Sequence, residues 1–349
     1  MTIEVSYRQT EPADKPAILA ILRQNAPGIP ESLRSAIFDW QFGADYVLAQ
    51  GQSTFWVATV NGEVAGVNGM MPVRLWSRDQ EVPAIWSCDT VVLEKFRGLG
   101  IGKELLQRVS NHAPVVMGYG ISDMSDPILA KGGWLPFDGV IGLFCSINEV
   151  GVKGHLKNMA STLMRLISIP FRQTALDIAV SIRSASFDSS HDVLWTHTLG
   201  EGMGVVIRDT AYLNWRYRDH PSLRYEVVEA ATEDTIRAIL VIRHEPLESV
   251  IVDYVGEPTN YRIMTPLVVH AVRKLVEQGT RRIRCETSLP TLQKCLRQMG
   301  FRVYSGQFRF RSHVQQKLQP TEQLNWFVMA GDSDNDCSKI GKARNTISR

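Results

Sequence analysis

Two repeat lengths dominate the pattern of hydrophobic and polar positions in the first 150 residues of the chain. Alternation with a period of two predicts β-strands, and apolar residues spaced three and four apart predict amphipathic helices. The predicted strands are Glu4–Gln9, Ser53–Val60, Gly66–Val73, Pro83–Leu93, Pro114–Gly120 and Val140–Ile147, and the helices are Lys15–Gln24 and Ile101–His112. Asn61-Gly62 predicts a hairpin turn between the second and third of these strands. The order indicates an α/β domain over residues 1–150, with a short helical segment before its closing strand.

A second set of elements follows in a similar order from about residue 201. Its predicted strands are Tyr225–Ala230, Thr235–Ile242, Ser249–Val255, Arg281–Glu286 and Arg302–Phe310, and its helices are Ile263–Gln278 and Leu292–Met299. Gly300-Phe301 after the last helix occupies the place that Gly133-Trp134 holds in the first half, and another strand follows in each case. The pattern therefore predicts a tandem pair of α/β domains, the second over residues 201–330.

The segment between the two domains, residues 151–200, mixes basic and apolar residues and predicts a helical connector. A helix lying on a membrane surface is the alternative, but Pro170 interrupts the apolar pattern. After residue 330 the composition is polar. This predicts a disordered tail over residues 331–349 unless Trp326 and Phe327 anchor it.

The composition sets the broad class of the protein without naming its chemistry. With 349 residues and 44% hydrophobic content, the chain can bury a large core, and its length favours two domains. A net charge of +2 gives no polybasic field, so nucleic acid is not an expected partner. The chain has no run of about 18 apolar residues and no basic N-terminus followed by an apolar run. Neither a transmembrane segment nor secretion is therefore expected.

The five cysteines are an odd number and show neither CxxC nor Cys/His metal-ligand spacing. This pattern argues against a zinc site and against a disulfide scaffold, and no metal is expected. A reducing cytoplasm is the simplest location for such a chain.

The most informative segment is Arg97–Gly102, with the sequence Arg-Gly-Leu-Gly-Ile-Gly, which lies between a strand and a helix. Closely spaced glycines at such a turn let the backbone approach a pyrophosphate and direct several N–H groups at it. The turn also places the phosphate charge at the positive end of the helix dipole. Lys103 can add a point charge. The segment therefore predicts a phosphate-binding loop.

Two widespread phosphate-binding motifs do not fit this loop. A Walker loop needs four residues between its glycines and a Ser or Thr after the Lys, whereas three residues separate Gly98 from Gly102 and a Glu follows Lys103. The Rossmann fingerprint needs glycine steps of two and then three, and here both steps are two. The loop instead resembles the acyl-CoA loop of the GNAT superfamily of N-acyltransferases, whose pattern is Arg/Gln-x-x-Gly-x-Gly/Ala between a strand and a helix.

The resemblance implies the fold, the co-substrate and the residues that bind it. A GNAT domain is a mixed, mostly antiparallel twisted sheet flanked by helices, and two such domains in tandem match the order of elements here. The implied co-substrate is acetyl-CoA or another acyl-CoA. The residues implied for its pantetheine arm and its pyrophosphate are Val91, Val92, Leu93, Arg97, Gly98, Leu99, Gly100, Ile101, Gly102 and Lys103. In the second half, the turn Gly256–Thr259 lacks the Arg and the spaced glycines, so that domain is expected to be degenerate.

Acyl transfer to an amine needs a base, because a primary amine is protonated at neutral pH and must lose a proton before it attacks the thioester. Asp89 is the candidate base, since it precedes the loop on the same strand and GNAT enzymes often place a carboxylate there. The alternative is an ordinary strand-end residue that is hydrogen-bonded to Thr90 or to a neighbouring loop.

The departing thiolate can take a proton from a general acid, which GNAT enzymes commonly supply as a Tyr ahead of a Gly-aromatic pair. In this chain Leu129 occupies that position, so Tyr119 on the preceding strand is the candidate acid. Unassisted departure of the thiolate is the alternative. Cys88 and Cys145 are less favoured as acyl-enzyme nucleophiles, because neither has a nearby His in sequence and both lie in apolar strands.

Two clusters in the second half are candidates for an acceptor site. Residues 209–217 are dense in aromatic and amide side chains, and among them Trp215 and Arg216 suit a sugar or another polyhydroxylated ligand. A structural wedge where two domains meet would explain the same residues. Asp253 and Tyr254 end the central strand of the second domain, where a buried carboxylate would attract an ammonium group. A strand-end cap is the alternative for this pair.

The segments Asn214–Tyr217 and Gly331–Asp334 resemble segments of bacterial tandem GNAT proteins, which are often associated with cell-surface polysaccharide or amino-sugar pathways. The resemblance implies an N-acyltransferase that moves an acyl group from acyl-CoA to the primary amine of a small molecule, such as an amino sugar or a sugar nucleotide. Two alternatives stay open: an aminoacyl transferase of the FemAB type, which the intact loop disfavours, and a non-catalytic CoA-binding scaffold or sensor, which the absence of a Tyr at Leu129 leaves open. A homodimer is compatible with the sequence.

Overall fold

The computed structural model describes residues 3–24, 28–147, 178–200, 202–233, 235–306, 308–315, 324–334 and 336. The described chain divides into two units. The first unit contains the residues up to Asp138, those within Arg309–Leu324 and those from Ser333 onward, and the second contains Gly139–Phe308 and Asn325–Asp332.

Strands and helices are numbered along the chain over the described residues. The strands are β1 (Val5–Gln9), β2 (Phe55–Val60), β3 (Glu63–Ser77), β4 (Gln80–Val92), β5 (Val115–Tyr119), β6 (Leu135–Phe137), β7 (Ile141–Ser146), β8 (Ala179–Ser184), β9 (Met203–Val206), β10 (Glu226–Thr232), β11 (Thr235–Arg243), β12 (Ser249–Gly256), β13 (Arg282–Thr287), β14 (Arg302–Tyr304), β15 (Phe310–Val314) and β16 (Asn325–Phe327). The helices are α1 (Lys15–Arg23), α2 (Glu31–Gly43), α3 (Asp45–Leu48), α4 (Ile101–Ser110), α5 (Asp126–Lys131), α6 (Ser189–Thr196), α7 (Thr210–Leu213), α8 (Tyr261–Glu277) and α9 (Pro290–Gln298).

The first unit is built on a sheet with the strand order β1-β2-β3-β4-β5-β15-β6. Neighbouring strands are antiparallel except β4 and β5, which run parallel. Asn61 and Gly62, between β2 and β3, have φ angles of 49° and 84°, so the predicted hairpin turn is confirmed. The long hairpin of β3 and β4 forms the centre of this sheet.

Helix α4 packs on β2 and β3 through its apolar side. Ile101 and Leu105 lie against Ala58 and Ala65. A second buried cluster comprises Met70, Ile85, Leu106, Val109, Ala113, Val116, Ile121, Leu129 and Trp134. Burying one such aliphatic side chain contributes roughly 1.5–3 kcal/mol. The packing therefore holds the first turn of α4 firmly beside the end of β4.

The second unit is built on a sheet with the strand order β14-β7-β13-β12-β11-β10-β8. Only β12 and β13 run parallel among these pairs, and β16 separately pairs in parallel with β9. Every residue of β12 is buried, and α8 buries its apolar side. Both units thus contain a mixed, mostly antiparallel sheet flanked by helices, and the predicted fold class is confirmed.

Each of the two strand orders given above contains one strand from the other half of the sequence. Strand β7, expected to close the first sheet, pairs with β13 and β14 in the second. Strand β15 pairs with β5 and β6 in the first. The single strand expected over Arg302–Phe310 is wrong, because the chain breaks after β14 at Gly306, where a Cβ atom would lie 2.5 Å from the Phe308 ring. The two units therefore do not divide at the boundaries expected from the sequence.

The expected connector and tail also differ from the structure where they are described. Residues 178–200, expected in a helical connector, contain β8 and α6 of the second unit, whereas residues 148–177 lie outside the described residues. In the tail, Asp332, Ser333 and Asp336 are buried, and residues 337–349 lie outside the described residues. Helices α2 and α3 were not predicted from the sequence.

Candidate active site

Strands β4 and β5 separate at one end of the first sheet. Their parallel register runs from Ala84 opposite Val115 to Trp86 opposite Met117, and it ends there although β4 continues to Val92. Beyond Trp86, within the described chain, the edge of β4 that faces β5 has no ladder partner on β5. Backbone N–H and C=O groups along such an edge can bind an extended ligand.

The alternation of the backbone shows which groups face this opening. The N–H of Leu93 donates to the carbonyl of Ala65 on the β3 side at 2.9 Å. Neighbouring residues in an antiparallel pair point their backbone groups to opposite sides. Among the three residues predicted to bind pantetheine, Val92 therefore presents its N–H and C=O to the open side, and Val91 and Leu93 face β3.

The glycine loop connects this edge to α4. Gly98 and Gly100 have φ angles of 87° and 77°, in the left-handed region that disfavours side chains. A Cβ atom at either position would meet nothing within 4 Å, so the loop surface is open. Arg97 and Lys103 are exposed and form no ion pair with any residue that the structure describes.

The first turn of α4 supplies backbone donors. The first helical hydrogen bond runs from the N–H of Glu104 to the carbonyl of Gly100 at 3.1 Å. The N–H groups of Ile101, Gly102 and Lys103 therefore lack helical acceptors. With the positive end of the helix dipole and two cationic side chains beside them, these donors form a surface suited to a pyrophosphate.

Asp89 lies in a β-bulge of β4. The register with β3 shifts between Val67 and Gly69, so that Asp89 and Thr90 together stand opposite Asn68. Asp89 has a φ angle of 47°, which is uncommon for a residue with a side chain. The bulge sets the direction of the Asp89 carboxyl. It was not predicted from the sequence, because only two residues of β4 follow Thr90, too few to show the shift in alternation.

The environment of Asp89 favours its protonated form. Although the residue keeps some exposure, burial of its carboxyl is the largest cause that raises its pKa to about 7, and the negative charge of Asp334 is the second. A carboxylate with a pKa near the working pH is well suited to accept and release a proton. Asp334 was singled out in the sequence as part of the Gly331–Asp334 segment and was not predicted as a neighbour of Asp89.

The candidate acid, Tyr119, and Leu129, which occupies the position of the usual Tyr, lie in different surroundings. Tyr119 is buried at the end of β5. Continuing the parallel register past Trp86 and Met117 brings Tyr119 level with Cys88, one residue before Asp89. Leu129 lies in the buried cluster with Trp134, so its position in α5 serves packing.

The two cysteines considered as nucleophiles are buried. Burial raises the pKa of Cys88 well above its ordinary value and the pKa of Cys145 to about 11. Since the thiolate is the reactive form, neither environment favours an acyl-enzyme.

The acceptor candidates of the second half lie together in a buried network around Arg208. The Nε of Arg208 donates to both carboxylate oxygens of Asp253 at 3.0 Å, and its Nη2 donates to Asp332 at 2.8 Å. Asp253 also accepts from the Tyr217 hydroxyl at 2.6 Å and from the N–H of Tyr254 at 2.9 Å. Both oxygens of Asp253 are therefore occupied by groups of the protein itself.

The neighbouring candidates are equally enclosed. Arg216 is fully buried and donates from Nε to the carbonyl of Gly331 at 2.7 Å. Trp215 is 3% exposed and packs edge-on against Tyr212. The geometry gives these residues a packing role within the second unit. Sequence reasoning missed Arg208 and Asp332, because nothing local marks partners that lie more than a hundred residues apart.

The second unit has its own strand-to-helix turn before α8. There the Asn260 side chain accepts from the N–H of Ile263 at 3.3 Å, and the Glu257 carboxylate accepts from the Asn260 amide at 3.0 Å. An acidic side chain thus already lies at the N-terminus of α8, which disfavours a bound phosphate there. Among the described residues, no group of three or more His, Cys, Asp or Glu side chains is arranged to hold a metal ion. No helix in the described part of the chain has the length and apolar character needed to cross a membrane.

Comparison with known proteins finds a family model that matches part of the first half. The family model described as "Acetyltransferase (GNAT) domain" matches residues 51–128, which include β4, the glycine loop and α4. None of the curated proteins matches this sequence.

Solved structures with a similar fold cover most of the chain. A GCN5-related N-acetyltransferase from Anabaena variabilis shares 12% identity at a TM-score of 0.61, over 88% of this chain and 72% of that one. A GCN5-related N-acetyltransferase from Kribbella flavida shares 14% identity at a TM-score of 0.59, over 90% and 71%. A tandem GNAT protein from the clavulanic acid biosynthesis pathway shares 10% identity at a TM-score of 0.50, over 91% and 100%. At these identities the likeness concerns the fold alone.

Proposed function

We propose that the chain, whose residues 51–128 match the GNAT acetyltransferase domain model, is an acyltransferase that moves an acetyl or other acyl group from acyl-CoA to the primary amine of a small molecule. One observation carries the proposal: the open edge of β4, the glycine loop and a carboxylate with a raised pKa follow one another within about fifteen residues. An amino sugar or a sugar nucleotide is the acceptor class that we favour, on the resemblance of two short segments alone.

The binding of acyl-CoA follows from the backbone geometry. The pyrophosphate would bind the N–H groups of Ile101, Gly102 and Lys103, with Arg97 and Lys103 supplying positive charge. The pantetheine arm would extend along the open edge of β4 and pair with the N–H and C=O of Val92. The thioester would then lie toward the bulge at Asp89.

Acyl transfer would proceed by direct attack. The Asp89 carboxylate takes a proton from the ammonium group of the acceptor, and the freed amine attacks the thioester carbonyl. A C–N bond forms, the C–S bond breaks, and CoA leaves as a thiolate, while the attacking nitrogen loses its second proton to solvent as the amide forms. Tyr119 is the candidate to donate a proton to the sulfur and would regain one from solvent, and Asp89 returns its proton to solvent after the product leaves.

The proposed mechanism assigns no acceptor contact to residues of the second unit. The four acceptor candidates of the second half are all buried: Trp215, Arg216, Asp253 and Tyr254. The proposed chemistry therefore rests on residues of the first unit. A reducing cytoplasm remains the proposed location, since the four cysteines that are described are free and buried.

Calorimetric titration of acetyl-CoA and CoA into the wild type and Arg97→Ala tests the binding step. Saturable binding that weakens in the variant, followed by thiol release in the presence of an amino sugar or another amine, would support the proposal. Binding without thiol release across a broad amine panel would favour a CoA sensor. No binding by folded wild-type protein would contradict the proposal and favour an aminoacyl transferase with another donor.

A further inference from the structure

We propose that Asn68 on β3 is a positioning residue that holds the bulge of β4 and thereby directs the Asp89 carboxyl. The inference rests on the proposed role of Asp89 as the base. It adds a residue that does not touch substrate and that lies outside the acyl-CoA loop.

Asn68 lies directly across the sheet from the bulge. Asn68 is fully buried, and it is the single residue of β3 that lies opposite both Asp89 and Thr90. Its Nδ2 donates to the hydroxyl of Thr90 at 2.5 Å and to the hydroxyl of Ser87 at 3.1 Å. The two bonds therefore reach residues on both sides of Asp89, and the side chain acts as a clamp across the bulge.

The bulge needs such a clamp for two physical reasons. A residue with a Cβ atom is disfavoured at the φ angle of 47° that Asp89 adopts, so the surroundings must hold it there. A bulge also shifts the alternation of side chains by one residue. If β4 relaxed into regular pairing, side chains on one side of the bulge would change faces, and the Asp89 carboxyl would leave its present surroundings.

The chemistry of an amide side chain suits this position. One Asn nitrogen carries two hydrogens that diverge and can donate to two acceptors at once. Asn68 is also uncharged, so it fixes the bulge without adding a charge beside the base. Over the described residues, the titratable groups whose charges act around Asp89 are Asp334 and Cys88, both in the first unit.

The test uses the full chain and a readout that needs no acceptor. The side-chain carboxyl of Asp89 is followed by ¹³C NMR during a pH titration, with Asp89→Asn providing the assignment. In Asn68→Leu, which keeps the approximate volume and removes both bonds, the carboxyl should leave the field of Asp334. Its pKa should then fall by more than about one unit toward the ordinary aspartate value.

Ser110→Ala is the matched control. It removes a buried hydrogen bond of the same unit, from the Trp134 indole at 2.8 Å, on a different element. The Asp89 titration should be unchanged in this variant even if its thermal stability falls. If Asn68→Leu fails to fold, Thr90→Val keeps the shape and removes one acceptor, and it should lower the same pKa by a smaller amount.

Kinetics separate this inference from the proposed function. Asn68→Leu should lower kcat for thiol release by about tenfold or more while the Kd for acetyl-CoA stays within about twofold of wild type. An Asp89 pKa that is the same in Asn68→Leu, Thr90→Val and wild type would overturn the clamp. Full turnover by Asp89→Asn would instead overturn the role of Asp89 as base, whatever the titration of the Asn68 variants shows.

Discussion

At the scale of single residues, the site depends on where one carboxyl group is held. Asp89 combines a left-handed backbone, a pKa of about 7 and a place beside the opening between β4 and β5. The sequence predicted Asp89 as a candidate from its distance to the loop. It could not predict the bulge or the effect of Asp334, because both depend on residues brought together by the fold.

Replacing Asp89 with Asn removes the proposed base and keeps the shape of the side chain. We expect kcat for thiol release to fall by about 10²–10⁴-fold, the usual contribution of a positioned base, with the Kd for acetyl-CoA nearly unchanged. Single-turnover kinetics and calorimetry on the same preparation measure the two quantities. An unaltered pH–rate profile in this variant would remove Asp89 from the mechanism.

Replacing Asp334 with Asn tests the electrostatic link to Asp89. The negative charge of Asp334 disfavours the ionised form of Asp89 and so raises its pKa. Without that charge the pKa should fall, while burial keeps it above the ordinary aspartate value. Asp89 is active as the carboxylate, so the acidic limb of the kcat/KM profile should move to lower pH.

Asp79→Asn is the control for this experiment. Asp79 lies in the turn between β3 and β4, ten residues before Asp89 along an extended strand, and its φ angle of 57° is one that Asn tolerates. Asp79→Asn also removes one negative charge, but far from the site, so it should leave the pH dependence of kcat/KM unchanged. Equal shifts in Asp334→Asn and Asp79→Asn would show a general charge effect and no specific contact.

At the scale of elements, the acyl-CoA site joins the edge of a strand, a loop and the first turn of a helix. Periodicity predicted β4 and α4 to within a few residues, and the glycine spacing predicted the loop between them. The separation of β4 from β5 was beyond the reach of such patterns, since each strand alone looks regular. The separation begins where the parallel pairing of β4 and β5 ends, at Trp86 and Met117.

Within this loop, Arg97 and Lys103 should contribute unequally to CoA binding. A guanidinium beside the turn can hold phosphate oxygens through two hydrogen bonds, whereas a Lys ammonium acts as a flexible point charge. We expect Arg97→Ala to raise the Kd for CoA by about tenfold or more and Lys103→Ala by less than about fivefold. Calorimetry at two salt concentrations measures both effects.

Lys95→Ala is the matched control for the loop variants. Lys95 lies two residues before Arg97 and is already paired with Glu63 at 2.5 Å, so its removal should leave the Kd unchanged. Equal losses in Arg97→Ala and Lys103→Ala would contradict the expected geometry of the loop.

At the scale of the whole molecule, the sequence correctly indicated two similar sheets and misplaced one strand of each. The alternating patterns of β7 and β15 show that they are strands, but alternation carries no information about the partner strand. The buried network of Arg208, Asp253 and Asp332 escaped prediction for the same reason, since its members are joined only in the folded second unit. Local pattern specifies elements, whereas pairing between distant elements specifies the units.

The exchange of strands predicts that the first domain cannot be isolated at the boundary that the sequence suggests. Strand β15 lies between β5 and β6, and Arg311 on it forms an ion pair with Asp126 at 2.7 Å. A fragment of residues 1–150 lacks strand β15 and the ion pair that Arg311 forms. We therefore expect this fragment to show no cooperative thermal unfolding and poor dispersion in its NMR spectrum. Joining residues 309–315 to residues 1–138 through a flexible linker restores the missing strand and should restore cooperative unfolding. A fragment 1–150 that unfolds cooperatively would show that the sheet tolerates the loss of β15, and the exchange would then be a feature of the full chain without a role in folding.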